Sequence, residues 1–182
     1  MGNEKVLVLG GAKSGKSEFA LRLGESIGAK MGKGGLYVAT AQALDQEMEE
    51  RISRHRDSRS GYWQTLEEPF KVWEPIENHD GKIGVILVDC LTLWLSNVLA
   101  SPVLQYDECL KRLIGALEHT QKSVIMVSNE VGLGIVPAIR EARMFRDAAG
   151  ELHQKIAKKC DKAFFVIAGM AIELKGEVLT HD

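Results

Sequence analysis

The segment that most constrains this 182-residue chain is Gly10-Gly11-Ala12-Lys13-Ser14-Gly15-Lys16-Ser17, set directly behind the apolar run Lys5–Leu9. It fits G-x-x-x-x-G-K-[ST] at every fixed position. A strand-like run precedes it, and a helical pattern with Phe19, Ala20, Leu23 and Ile27 on one face follows. Glycines let the backbone curl so that successive N–H groups point inward, at a helix N-terminus that already favours anions. In such a phosphate-binding loop, Lys16 would reach the terminal phosphates of a nucleotide and the Ser17 hydroxyl would ligate Mg²⁺. The competing reading is an ordinary glycine-rich turn between strand and helix. A full match in the right context makes that the weaker alternative.

The rest of the chain repeats the strand-then-helix rhythm. Strands are expected at Leu36–Ala39, Val85–Val88, Ser123–Val127 and Ala163–Ile167, and helices at Asp45–Arg59, Leu91–Leu99, Asp107–Thr120 and Glu141–Lys159. Ile172–Leu174 reads as a last strand, with an antiparallel edge as one option. Apolar strands alternating with amphipathic helices imply βαβ units, hence a three-layer α/β fold of P-loop NTPase type around a mainly parallel sheet. The functional site is then expected at the carboxyl ends of the strands. One domain is expected over 1–182, with 176–182 an unassigned tail.

Composition narrows the function classes. Lys and Arg number 23 against 25 Asp and Glu, a net charge of −2. With a pI near 6.2, no bulk basic surface argues for nucleic acid. Asp89 interrupts the longest apolar region, Val85 to Ala100, so no membrane segment is expected. Cys90, Cys109 and Cys160 lie far apart without a C-x-x-C pair, which fits reduced thiols and a cytoplasmic setting.

Three further stretches carry chemistry. Asp89 follows four apolar residues at the end of an expected strand, taken to neighbour the P-loop strand, where a P-loop needs a carboxylate for its metal; the alternative is a helix N-cap. His55 lies among Arg51, Arg54, Arg56 and Arg59. Nearby positive charge would keep its imidazole neutral and nucleophilic, while the arginines could neutralise phosphates. Periodicity alone equally describes a solvated helix whose arginines pair with Asp45, Glu47, Glu49 and Glu50, and on spacing that plainer reading is favoured. The remaining histidines, His153 among them, have no evident constellation, and His153 reads as polar surface. Asn129-Glu130-Val131-Gly132 opens a shaped loop after the fourth strand; Arg143, Arg146 and Asp147 behind it could be catalytic or form an intersubunit or loop-ordering ion pair, with the structural reading favoured.

Taken together, the ordered motifs resemble the bifunctional adenosylcobinamide kinase / adenosylcobinamide-phosphate guanylyltransferase family of cobalamin biosynthesis. They are GGAKSGKS at 10–17, YVATAQALDQEMEERISRHRDSR at 37–59, WQTLEEP at 63–69, VDCLTLWLSNVL at 88–99, SNEVGLGIVP at 128–137 and RMFRDAAGELHQ at 143–154. The resemblance implies phosphorylation of adenosylcobinamide by a nucleoside triphosphate (GTP or ATP). GMP would then pass from GTP to that phosphate through a guanylylated histidine, which matches His55. It implies nucleotide contacts at Gly10, Gly11, Ala12, Lys13, Ser14, Gly15, Lys16 and Ser17, at Thr40, Ala41 and Gln42, at Arg56, Asp57, Ser58 and Arg59, and at Glu67 and Asp89. It implies a homotrimer. Departures are few: His153 stands where the family often has Asn, and Ser60 where it often has Pro.

Two alternatives stand beside it. A monofunctional P-loop kinase would not need His55. A nucleotide switch is disfavoured, because the chain has no N-K-x-D element and Asp89 is followed by Cys-Leu-Thr rather than the D-x-x-G pattern.

Overall fold

The computed structural model describes residues 3–43, 46, 60–78 and 81–175. Its order is β1 (Lys5–Gly10), α1 (Lys16–Met31), β2 (Gly34–Ala39), β3 (Trp63–Glu67), α2 (Trp73–Glu77), β4 (Ile83–Asp89), α3 (Leu91–Ala100), α4 (Tyr106–His119), β5 (Ser123–Asn129), α5 (Arg140–Ala157), β6 (Lys162–Ile167) and β7 (Met170–Glu173). The expected helix over 45–59 lies outside the described residues except at Gln46, and with it His55, Arg56, Asp57, Ser58 and Arg59, as does the 176–182 tail.

The strands form one seven-stranded sheet in the order β3-β2-β4-β5-β1-β6-β7. Every pairing is parallel except β6 with β7, so the antiparallel edge is present. The strand pattern explains why. Val85 to Val88 and Ser123 to Ser128 are buried without interruption, as strands covered on both faces must be. Alternate side chains go to opposite faces. Leu7, Ile86, Val88, Val124 and Met126 pack with Trp94, Leu95, Leu113, Leu117, Leu152 and Ile156 from α3, α4 and α5. Val6, Val8, Leu87, Ile125 and Val127 face the other way, towards Ala20, Leu23 and Ile27 of α1. Each fully buried Val, Leu or Ile contributes roughly 1.5–3 kcal/mol, so the central strands anchor the site that forms at their ends.

Two elements were not expected from the sequence. β3 buries Trp63 but leaves Gln64 to Glu67 exposed, as an edge strand does, so no apolar run announces it. α2 has only five residues, too few for a helical period to register. The strand carrying Asp89 also departs from expectation. It is not beside the P-loop strand: β5 lies between β4 and β1.

Candidate active site

Strand β1 ends at Gly10, and the loop that follows turns tightly under the β6–β7 hairpin. A Cβ on Gly10 would lie 2.5 Å from the Val166 carbonyl oxygen and 2.6 Å from Ser14 Oγ, so only glycine fits. Gly15 has φ 94°, a conformation L side chains rarely adopt, and caps α1. The loop is braced by Ser14 N–H donating to Gly11 O (3.3 Å) and Gly169 N–H to Ser14 O (2.9 Å).

Two groups inside this loop lack the partners their chemistry calls for. Ser14 Oγ is buried and unbonded among the described residues. The Lys16 ammonium, on a residue only 8% exposed, donates to Gly11 O at 3.0 Å. Burial holds the Lys16 pKa below its ordinary value, opposed by the nearby Asp89 and Cys90. A buried ammonium short of solvation and a loop of curled backbone are what an anion would complete.

Asp89 ends β4 and is not a helix cap: that role falls to Cys90, whose Sγ accepts from Leu93 N–H at 3.5 Å. Asp89 Oδ2 instead accepts from the Tyr37 hydroxyl at 2.8 Å. The phenol fixes one oxygen, and the field of the carboxylate reaches Lys16. A hydroxyl at Ser17 and one oriented carboxylate suit Mg²⁺, which takes few protein oxygens and completes its shell with phosphate and water. Among the described residues no cluster of three His, Cys, Asp or Glu forms a metal cage. Cys90 itself is no nucleophile, since burial and then Asp89 push its thiol up to about 11.

The other candidates spread along the same edge of the sheet. Thr40 ties β2 to β4: its hydroxyl donates to Cys90 O (2.8 Å) and accepts from Cys90 N–H (2.7 Å). Asn97 Nδ2 holds Thr40 O and Pro69 O at 2.9 and 3.0 Å, shaping the turn that carries the half-buried Ala41 and Gln42. Glu67 ends β3, exposed, four strands from β1, or about 19 Å at ordinary strand spacing. Lys16 and Asp89 therefore come together at the loop, whereas Glu67 stands at the far side of an extended groove edge.

Sequence reasoning missed the cluster at the end of β5. His153 is not polar surface but 6% exposed, with Nε2 2.8 Å from Ser128 Oγ and Nδ1 3.7 Å from Glu130 Oε2. The signal was available: Ala149, Leu152, His153 and Ile156 form the buried stripe of α5 at i, i+3, i+4 and i+7. Arg143 orders the loop before α5, its Nη1 donating to Pro137 O (2.9 Å) and Ala138 O (2.7 Å). The loop it holds exposes Leu133, Ile135 and Val136, with Ile135 98% exposed.

These features define a P-loop nucleotide-binding α/β protein, with the acidic strand one position removed from the loop strand. The fold is similar to the crystal structure of flagellar accessory protein FlaH from Methanocaldococcus jannaschii, with a TM-score of 0.55 over 96% of this chain and 79% of that one, at 14% identity. Residues 6–174 match the family described as cobinamide kinase / cobinamide phosphate guanyltransferase, and the chain belongs to that family. It is 44% identical to the bifunctional adenosylcobalamin biosynthesis protein CobP of Pseudomonas aeruginosa, over 95% of this chain and 98% of that protein. It is 35% identical to the bifunctional adenosylcobalamin biosynthesis protein CobU of Escherichia coli, over 93% and 99%. The CobU of Salmonella typhimurium is similar at 34%.

Proposed function

We propose that this single-domain protein carries out both family reactions at one phosphate cradle. As a member of its family it is a bifunctional transferase of cobalamin biosynthesis, a kinase and a guanylyltransferase acting on cobinamide. In the first reaction the acceptor hydroxyl attacks the γ-phosphorus of GTP or ATP. In the second, His55 attacks the α-phosphorus of GTP, pyrophosphate leaves, and GMP passes from the histidine to the cobinamide phosphate, giving adenosylcobinamide-GDP.

The observation that carries this reading is the buried Lys16 ammonium in a glycine cradle beside Asp89, in a chain whose family has both activities. Lys16 offsets charge that develops on the phosphates, and the N–H groups of Gly10 to Ser17 hold them. Thr40, Ala41, Gln42 and Glu67 line the route from that cradle along the sheet edge, with Arg56, Asp57, Ser58 and Arg59 supplied by the segment that carries His55. Ser17 and Asp89 would hold Mg²⁺, which when bound would neutralise phosphate charge.

The protein works in the cytoplasm as a homotrimer. The exposed apolar Met170, Ile172 and Leu174 at the β7 edge support self-association. No helix among the described residues is long and apolar enough to cross a membrane.

Incubation with α-labelled GTP and Mg²⁺ tests the central step. An acid-labile, alkali-stable protein adduct is expected, absent in His55→Ala, with phosphoryl transfer to cobinamide retained in that variant. No adduct on the unaltered protein removes the guanylyltransferase step. Loss of both reactions in His55→Ala contradicts a histidine serving only the second.

A further inference from the structure

The kinase step requires something to take the proton of the attacking hydroxyl, and none of the groups above is suited to it. Lys16 is a cation, and Asp89 is held by Tyr37 and assigned to the metal. The end of β5 offers a second carboxylate. We propose that Glu130 is the proton acceptor for the hydroxyl that is phosphorylated, and that His153 is the residue that positions it. The proposal rests on the kinase reading of the P-loop.

Topology places Glu130 at the right end of the sheet. β5 lies between the P-loop strand and the Asp89 strand, and Glu130 is the first residue beyond it. Its backbone N–H donates to Gly10 O at 3.0 Å, so it adjoins the first residue of the cradle. Its carboxylate is largely enclosed, the side chain being 21% exposed, and it accepts from the Gly132 N–H. Among the described residues no Lys or Arg forms a salt bridge with it, and His153 is the ionisable group that faces it. With no cation bonded to it among the described residues, the carboxylate has lone pairs left for the hydroxyl of an acceptor.

His153 is set by a chain of hydrogen bonds running back to the same strand. Asn129 N–H donates to Thr92 Oγ1 at 2.7 Å, Thr92 Oγ1 is 2.9 Å from Ser128 Oγ, and Ser128 Oγ is 2.8 Å from His153 Nε2. Nδ1 is buried, has no hydrogen-bond partner among the described residues, and faces Glu130 Oε2 from 3.7 Å. With its proton on Nε2, the ring would turn a lone pair towards a carboxylate. With the proton on Nδ1, Ser128 donates to Nε2 and an N–H points at Glu130, which satisfies both sides. Burial lowers the His153 pKa and Glu130 opposes that shift, so the imidazole acts as a neutral donor rather than an ion-pair partner. Shortening 3.7 Å to a hydrogen bond needs only a small movement, of the kind that substrate binding commonly brings.

The step balances. The acceptor oxygen bonds to the γ-phosphorus, the bond from that phosphorus to the bridging oxygen of the β-phosphate breaks, and the nucleoside diphosphate leaves. The hydroxyl proton passes to Glu130 and then to water.

Glu130→Gln in the full-length enzyme separates this role from a loop cap, because glutamine keeps an oxygen for the Gly132 N–H and loses only the base. With cobinamide and Mg²⁺–nucleotide, phosphoryl-transfer kcat should fall about 100-fold or more. KM for nucleotide should stay within about threefold, and GTP-dependent labelling of the protein should persist in the same preparation. His153→Asn puts an N–H at the position of Nδ1 and should retain kcat within about threefold. His153→Leu should lower kcat about tenfold at unchanged KM. Unaltered phosphoryl transfer in Glu130→Gln overturns the proposal. So does loss of labelling in proportion, or equal effects of the two His153 substitutions. A wild-type enzyme without phosphoryl transfer would overturn the kinase reading itself, and this proposal with it.

Discussion

Strands β4 and β5 run side by side and each ends near an acid, but the two ends are built differently. At β4, a phenol and an ammonium surround Asp89: the Tyr37 hydroxyl fixes one oxygen, and Lys16 lies within its field. At β5, neutral donors surround Glu130, a backbone N–H and a buried imidazole. Electrostatics then sorts the roles. A carboxylate fixed by a phenol beside an ammonium suits a metal, whereas one with no bonded cation can take the proton of an acceptor hydroxyl. Position in the fold brings both acids to the phosphate cradle. Their neighbours decide what each can do there.

The contrast can be broken experimentally. The largest effect is expected from Asp89→Asn, which removes the charge and leaves the shape. Both the kinase and the guanylylation reactions should fall by roughly 10²–10³, the usual range for losing one electrostatic stabiliser, measured as kcat at saturating nucleotide. Glu130→Gln should instead separate the two reactions; a parallel loss of both would erase the distinction between the two strand ends.

Tyr37→Phe sharpens the β4 side. It deletes one hydrogen bond to a charged oxygen while keeping the buried ring. The loss is about 1.5 kcal/mol, so the Mg²⁺ concentration for half-maximal activity should rise about tenfold. An unchanged Mg²⁺ requirement would mean that Tyr37 only packs.

The smallest effect concerns His153 and stability. Its pKa is lowered in the folded state by burial, so the unfolded chain binds the proton more readily. Stability from this group is present above the ordinary histidine pKa, near 6.5, and is lost as pH falls through that value towards the folded one. Melting temperature should therefore drop between about pH 7.5 and 5.5. His153→Asn should flatten that part of the profile, and an equally steep profile in the variant would assign the slope to other groups.

These two ends also differ in how legible they were. The P-loop and the apolar run before Asp89 announce themselves, because a phosphate cradle needs glycine at particular positions and a buried strand needs unbroken apolar residues. Helices α1, α3, α4 and α5 and the buried parallel strands follow from periodicity for the same reason, while the antiparallel edge was one option for the last strand. β3 did not, since an edge strand with one buried residue, Trp63, has no such run. The insertion of β5 between β1 and β4 was not readable either, because strand order depends on tertiary crossovers rather than local pattern. That insertion is what brings Glu130 beside Gly10. His153 was legible in principle from the stripe on α5, but its meaning required Ser128, Thr92 and Glu130, which lie far from it in sequence and meet only in the fold.

The central claim is that one cradle serves both transfers, and Lys16→Met tests it most directly. The substitution removes the ammonium and keeps a long apolar stem in a site that is already mostly buried. Phosphoryl transfer to cobinamide and labelling of the protein by α-labelled GTP are measured on the same preparation. The account predicts that both fall together by about 10² or more. Full labelling alongside abolished phosphoryl transfer, or the reverse, would place the two reactions at separate sites.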